Sequence, residues 1–280
     1  MPSASALRFG RAVIELGFTG SKEAEKQLKA LEMRMRNFGT ALKSIGTSGI
    51  KFSGAVAGLL AFPVKMAVDL EKTRAEFTAL LADAQKASTM LSQIEALALV
   101  TPLGAQELRD AARTMLNFGV VAENVVPILK RLGEIAGGDA ERMSRLALAF
   151  GQVNAKGRLM AQEVNQMVEA GFNPLQEISR TTGESMYSLT KRMEAGGIGV
   201  NEVQKAFTTA TSAGGRFSGL LDKIANTTIG QFNTLRESLV LAVRPLGEAL
   251  LPAINEMLRS LTSVVPMVAE WVKNNRESVI

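Results

Sequence analysis

The feature that most constrains the fold of this chain is a stripe of apolar residues near its N-terminus. Between positions 24 and 45 apolar residues recur at alternating intervals of four and three residues, and Lys, Arg and Glu occupy the other faces. A stripe this narrow fits a partner helix better than a globular core, so it predicts a self-associating coiled coil. An amphipathic helix that packs on its own domain is the alternative. The predicted self-association seam comprises Ala24, Leu28, Leu31, Met35, Phe38, Leu42 and Ile45.

Small residues follow the seam. Gly54 and Gly58 are four positions apart, which allows two helix backbones to approach closely, so both are predicted to lie at a close helix contact. Pro63 is expected to kink or end this segment, because proline lacks the amide hydrogen that a continuing helix needs. The longest apolar run, residues 52–64, has 13 residues, whereas a membrane-spanning helix needs about 20. The sequence therefore predicts a soluble chain.

The rest of the sequence predicts an all-α fold. Aromatic residues make up only 5% of the chain, which favours helix-on-helix packing over a β-sandwich. Apolar residues recur at helical spacing between loops that contain Gly or Pro. Pro245, Pro252 and Pro266 are expected to interrupt the C-terminal helices. Helices are predicted over 69–100, 106–118, 122–135, 140–153, 160–169, 183–195 and 202–213, the last capped by Asn201.

These patterns divide the chain into five regions. Residues 1–20 form a short N-terminal extension with one candidate strand at 11–18, and 21–65 hold the coiled-coil helix and a Gly/Ala-rich segment. Residues 66–213 form a compact multi-helix domain, 214–219 a Gly-rich linker, and 220–280 long amphipathic helices. Because the sequence stops without helix-ending residues, we expect the last helix to continue beyond residue 280.

The residue types that most enzymes require are missing. The chain contains no His and no Cys, which excludes thiol nucleophiles, Ser-His-Asp triads and nearly all zinc sites. Glu163 and Glu169 could be considered as a carboxylate pair for glycoside cleavage. They are six residues apart, however, so they do not share a helix face, and we do not interpret them as such a pair. The basic loop at Lys156 and Arg158 is interpreted as a capping loop rather than an anion site. The net charge of +5 is too small and too scattered for a nucleic-acid-binding arm. We therefore predict a protein that is not an enzyme and has no catalytic, cofactor-binding or metal site.

Three sequence blocks carry a resemblance to a known family. They are TPLGAQELRDAARTMLNFGV at 101–120, LKRLGEIAGG at 129–138 and LALAFGQVNAKGRLMAQEVNQMVEAGFNPLQEIS at 146–179. Together they resemble the N-terminal domain of phage tail tape measure proteins, and the flanking segments are similar to that family as well. Members are commonly much longer, so we expect this chain to be a fragment or processed form of a longer protein.

The resemblance implies a virion structural protein in the lumen of the tail tube, present in the host cytoplasm during assembly. It implies that the protein sets tail length, scaffolds tail-tube assembly and is released during DNA ejection. The implied partners are further copies in a parallel homo-oligomer (trimer or hexamer), the tail-tube protein, tail assembly chaperones, baseplate or tail-tip proteins, and the host inner membrane during ejection. It brings no catalytic residues. The alternative is a membrane-inserting component that uses residues 45–68 to aid DNA passage through the host envelope.

Overall fold

The part of the chain that the structure describes is helical. The structure, a computed structural model, describes the backbone of residues 54–274 and the side-chain surroundings from residue 63, except at some positions beyond 242. Within this range no strand forms, and the one extended pairing is an isolated antiparallel bridge between Arg158 and Gly199. The predicted all-α class is confirmed. The helices are α1 (Gly54–Leu81), α2 (Ala84–Leu99), α3 (Ala105–Asn117), α4 (Ala122–Ala136), α5 (Ala140–Lys156), α6 (Ala161–Glu169), α7 (Pro174–Thr182), α8 (Met186–Glu194), α9 (Val200–Thr211), α10 (Leu220–Ala225) and α11 (Thr228–Asn274).

Two compact units divide the described residues. The larger unit is Glu71–Ala242 and contains α2 to α10 entirely. The smaller unit includes the described residues 54–70 and 243–274, so the division falls within α1 and within α11. The predicted linker at 214–219 lies inside the range of the larger unit. The five predicted regions and their boundaries stay predictions.

The core of the larger unit is built from helices with one apolar face. On α3 the residues Leu108, Ala111 and Met115 are buried, as their spacing predicts. Helix α5 packs against both α3 and α4, and the ring of its buried Phe150 meets Phe207 of α9 edge-on at 5.6 Å between centroids. Burying a large apolar side chain contributes about 1.5–3 kcal/mol. Layers of such residues therefore hold the helices in place.

Short sequence signals set the ends of several helices. The Asp139 carboxylate accepts a hydrogen bond from the amide of Arg142 at the start of α5. The Asn173 side chain does the same for Gln176 at the start of α7, where Pro174 follows as the first helical residue. Helix α4 ends at Gly137, whose φ of 63° is a left-handed conformation that favours glycine.

Two predictions about long helices are wrong. The segment 69–100 is not one helix: α1 ends at Leu81, and Ala82 has a φ of 50°. The Asp83 carboxylate then accepts hydrogen bonds from the amides of Gln85 and Lys86 and starts α2. Pro63 does not end its helix, and Pro245, Pro252 and Pro266 do not interrupt theirs. Pro63 lies inside α1, and α11 continues through its three prolines at 245, 252 and 266, because each proline removes one backbone hydrogen bond and leaves those of the turns on either side.

Other helix boundaries also differ from the prediction. The helix predicted over 183–195 begins only at Met186, because Gly183 has a φ of 76° and ends α7, a helix that was not predicted. The cap of α9 is Gly199 rather than Asn201, which lies inside the helix. Helix α5 continues to Lys156, beyond the predicted end at 153, and stops at Gly157 with a φ of 73°.

The smaller unit contains one very close approach of two helix backbones. A Cβ atom added at Gly247 of α11 would lie 2.0 Å from the carbonyl oxygen of Pro63 in α1. Ala67, Leu70 and Leu250 are buried in the same unit. Glycine is therefore required at this contact, because any side chain would push the two backbones apart.

Candidate assembly interface

The residues predicted for self-association lie mostly outside the described residues. This holds for the seam, Ala24 to Ile45, and for the candidate strand at 11–18. Gly54 and Gly58 lie within α1, but both precede residue 63, where the described side-chain surroundings begin. The predicted seam and the predicted close packing at these glycines therefore stay predictions.

The described structure adds an apolar surface that the sequence did not single out. Ile229, Phe232, Leu235 and Leu239 of α11 are 68%, 65%, 57% and 58% exposed. Steps of three, three and four residues place them on one side of the helix. We call this surface the outer face of α11. A row of four large exposed apolar side chains is unusual on a soluble helix and is typical of an interaction surface.

The opposite side of α11 is fixed to the larger unit. Gly230 is buried, and a Cβ atom there would lie 2.1 Å from the carbonyl oxygen of Ile224, so the two backbones touch. Seven residues later, the Glu237 carboxylate accepts a hydrogen bond of 3.2 Å from the amide of Ala105 at the start of α3. Because positions seven apart lie on the same side of a helix, both contacts hold one side of α11 and leave the outer face exposed.

A second carboxylate fastens the segment before α11. Glu134 of α4 is 8% exposed, and its Oε2 accepts a hydrogen bond of 3.0 Å from the buried amide of Leu221. That amide belongs to the first turn of α10, where backbone amides have no partner within the helix. Glu134 thus caps α10 as Glu237 caps α3, and each bond joins residues far apart in the sequence.

The Lys156 side chain of the basic loop after α5 is paired within the protein. The Lys156 ammonium lies 2.5 Å from Oε1 of Glu163, whose side chain is fully buried. The amide of Leu159 donates a hydrogen bond of 2.9 Å to the carbonyl of Ile198, which fixes the loop beside the start of α9. Glu169 is exposed while Glu163 is buried, so the two carboxylates occupy different environments. These contacts support the interpretation of a structural loop.

One carboxylate has a clearly altered acidity. The guanidinium of Arg180 donates hydrogen bonds to Glu177 at 2.6 and 3.0 Å and lowers the pKa of that carboxyl. Burial acts in the opposite direction, and a hydrogen bond of 2.8 Å from the Thr209 hydroxyl lowers the pKa further. Because Arg180 is one helical turn from Glu177 and Thr209 is on α9, the group joins α7 to α9.

The described part of the chain contains neither a cluster of metal-ligating side chains nor a helix suited to cross a membrane. No group of three or more acidic side chains there is arranged to hold a metal ion. No helix in the same residues combines the length and the apolar character that crossing a membrane requires.

Comparison with known proteins identifies the family. A family model described as tape measure protein matches residues 63–248, about two thirds of the chain. The chain belongs to the tape measure protein family. The resemblance inferred from the three sequence blocks is thereby confirmed, and the chain is a phage tail component. The matched range covers the larger unit and the first part of α11, including its outer face.

Curated members of the tape measure family match the same chain. The probable tape measure proteins of Lactococcus phage p2 and Lactococcus phage SK1 are each 26% identical to it over 188 residues. The alignment covers 64% of this chain and 17% of each relative. The chain thus spans about a sixth of the length of these relatives. No solved structure matches the chain.

The outer face of α11 could have been read from the sequence. The signal is the spacing of Ile229, Phe232, Leu235 and Leu239, but spacing alone does not tell whether an amphipathic helix buries or exposes its apolar side. The exposure of these four side chains and the contacts of Gly230 and Glu237 show that the apolar side faces outward here.

Proposed function

We propose that this chain acts within the tail tube as part of the ruler that sets tail length, around which the tube is assembled, and that it leaves the tube during DNA ejection. The match of residues 63–248 to the tape measure family carries this proposal. Helix α11 supports it physically. A helix rises about 1.5 Å per residue, so its 47 residues extend for about 70 Å. A fixed rise per residue is what a molecular ruler needs.

An insertion series in the phage gene tests the ruler. Roughly 50 helix-forming residues, in whole heptads, are inserted after Arg259 within α11, and we expect tails longer by about 75 Å. Tail length is measured by electron microscopy. The matched control places the same insertion in the exposed turn at Gly183, between α7 and α8, where it should leave tail length unchanged. Equal lengthening from both insertions, or from neither, contradicts the proposal.

We further propose that copies of the chain associate in parallel through the heptad seam and the outer face of α11. Support comes from two sources: the seam spacing at Ala24 to Ile45, and the exposure of Phe232 and Leu239 on a helix side with no partner among the described residues. Apolar rows at helical spacing associate because each large side chain removed from water contributes about 1.5–3 kcal/mol.

Oligomeric state measured by light scattering or analytical ultracentrifugation tests this association. Phe232→Glu should raise the dissociation constant at least about tenfold, since each 1.4 kcal/mol of lost binding corresponds to a factor of about ten. Gln231→Glu is the matched control, because it adds the same charge at the neighbouring exposed position. Leu31→Asp with Phe38→Asp tests the seam. A monomeric wild-type chain, or equal effects of the two glutamate variants, is incompatible with this interface.

The remaining assignments rest on the family alone. They are contacts with the tail-tube protein, tail assembly chaperones and baseplate or tail-tip proteins, and presence in the host cytoplasm during assembly. The alternative role, insertion of residues 45–68 into the host inner membrane, is tested separately by leakage of dye-loaded liposomes. Leakage caused by the wild-type chain would favour that role.

A further inference from the structure

We propose that a pocket of the larger unit binds an acidic peptide segment of a partner protein, with one apolar side chain of that peptide in the pocket and its carboxylates on the rim. The pocket has a volume of about 420 Å³ and lies among α7, the start of α8 and the 214–219 segment. Pockets of a few hundred Å³ are large enough to enclose a ligand group. This inference is independent of the ruler and of self-association, because it uses none of their residues.

The floor of the pocket is apolar and well supported. Phe172 is buried, and its ring contacts Phe207 in the core at 5.1 Å and Phe217 at 6.2 Å between centroids. Met186 lines the same pocket and is 42% exposed. The partly exposed Phe217 ring and the flexible Met186 thioether offer an apolar side chain contacts without rearrangement of the core, and the buried Phe172 ring supports Phe217.

The rim carries positive charge that the protein does not fully neutralise. Arg180 and Arg216 both line the pocket. Arg180 is paired with the Glu177 carboxylate, which also belongs to the lining. Arg216 lies over the Phe217 ring at 5.4 Å and, among the described residues, forms no ion pair with a carboxylate. One positive charge therefore remains in excess, with the donors of the Arg216 guanidinium available to a carboxylate.

The backbone holds Arg216 and Phe217 in position before any ligand binds. The amide of Phe217 donates a hydrogen bond of 2.9 Å to the carbonyl of Ala210, and the amide of Gly215 donates one of 2.8 Å to Ser212. A Cβ atom at Gly215 would lie 2.4 Å from the carbonyl oxygens of Thr209 and Ala210, so only glycine permits this turn. The segment predicted as a linker thus forms one wall of a preformed pocket, which lowers the ordering cost of binding.

These features favour an acidic peptide over a nucleic acid. Binding a nucleic-acid backbone takes several Lys or Arg residues along its path, whereas this pocket offers two arginines, one of them already paired. The apolar floor suits a Phe or Leu side chain, and the Arg216 guanidinium suits an acidic neighbour of that side chain. Together they match an apolar residue flanked by Asp or Glu.

Methyl NMR of the whole chain tests the proposal. The probe is a blocked pentapeptide with a central phenylalanine and two acidic residues on each side. We expect a saturable shift of the Met186 methyl signal, while that of Met193, buried and outside the pocket lining, stays in place. Replacing the central phenylalanine by alanine, or all acidic residues by lysine, should abolish the shift.

Substitution of Arg216 decides the role of the rim charge. Arg216→Gln should weaken binding of the pentapeptide on the order of fivefold, as expected for one exposed charge pair. The control Arg142→Gln removes another exposed charge, one outside the pocket, and should leave the affinity unchanged. Unaltered melting temperatures would confirm that both variants fold. The proposal is overturned by no saturable shift, by equal effects of the two variants, or by an oligothymidine that shifts Met186 as strongly as the peptide.

Discussion

The contact between Gly230 and α10 makes a sharp prediction about α11. In an ordinary helix, Gly→Ala stabilises by up to about 1 kcal/mol, because alanine has less backbone freedom to lose on folding. At Gly230 the new Cβ would lie 2.1 Å from the carbonyl oxygen of Ile224 and 2.8 Å from Cα of Ala225. Ordinary contact begins at 3.4 Å, so α11 must move away from α10 by more than about 1 Å.

The close contact should therefore make Gly→Ala at position 230 destabilising, whereas the same substitution stabilises an ordinary helix. Overpacking of a tight contact typically costs about 1–3 kcal/mol, and here the opposing atoms are backbone and cannot rotate away. After subtracting the gain in helix propensity, we expect Gly230→Ala to destabilise the larger unit by about 1–2 kcal/mol. For a unit of this size that corresponds to a melting temperature lower by about 2–8 °C.

Thermal unfolding followed by far-ultraviolet circular dichroism measures the effect. Gly133→Ala is the matched control, because this glycine also lies inside a helix but a Cβ there meets only the ends of Leu103 and Leu221, at 3.0 and 3.2 Å. Because these flexible side chains can move aside, Gly133→Ala should lower the melting temperature clearly less than Gly230→Ala does. A Gly230→Ala protein that melts at a higher temperature than the wild type would refute the close backbone contact.

Two further predictions concern buried carboxylates. Glu134→Ala leaves the buried amide of Leu221 without an acceptor and should cost about 1–3 kcal/mol in urea unfolding, with a smaller loss for Glu134→Gln, which keeps an acceptor oxygen. The pKa of Glu177 is lowered in the fold from an ordinary value of 4.5, so its contribution is present above that pH and is lost as the pH falls through the folded pKa. When the urea midpoint is measured as a function of pH, it should therefore fall less steeply below pH 4.5 for Glu177→Gln than for the wild type. Parallel curves for the two proteins would contradict the interaction assigned to Glu177.

The sequence was most informative where apolar spacing and turn residues agree. Helix α3 was predicted within one residue at each end, because Gly104 and the Phe118–Gly119 turn bracket a regular apolar face. The break at Asp83 was missed because the apolar spacing continues across it, and only a capping carboxylate marks the boundary. Helix α7 was missed although Asn173 and Pro174 form a recognisable start signal.

Features that depend on tertiary contacts were beyond the sequence. Nothing in the composition of 214–219 distinguishes a free linker from a pocket wall, since Gly-rich sequence suits both. The difference lies in the carbonyl oxygens of Thr209 and Ala210, which approach Gly215 so closely that a side chain would not fit. Likewise, Glu134 and Glu237 look like ordinary surface carboxylates until the fold brings each to the start of a distant helix.

The attachment of α11 explains how a tape measure chain can expose so much apolar surface and still fold. Its inner side is held by backbone contact at Gly230 and by the Glu237 carboxylate, neither of which uses large apolar residues of α11. The large apolar side chains at the start of α11, Ile229, Phe232, Leu235 and Leu239, are therefore left for the outer face. A helix fixed by its own apolar side would bury that surface in its own unit and have none to offer a partner. With its attachment on one side and an apolar row on the other, α11 can belong to a folded unit and still present a surface for the proposed association.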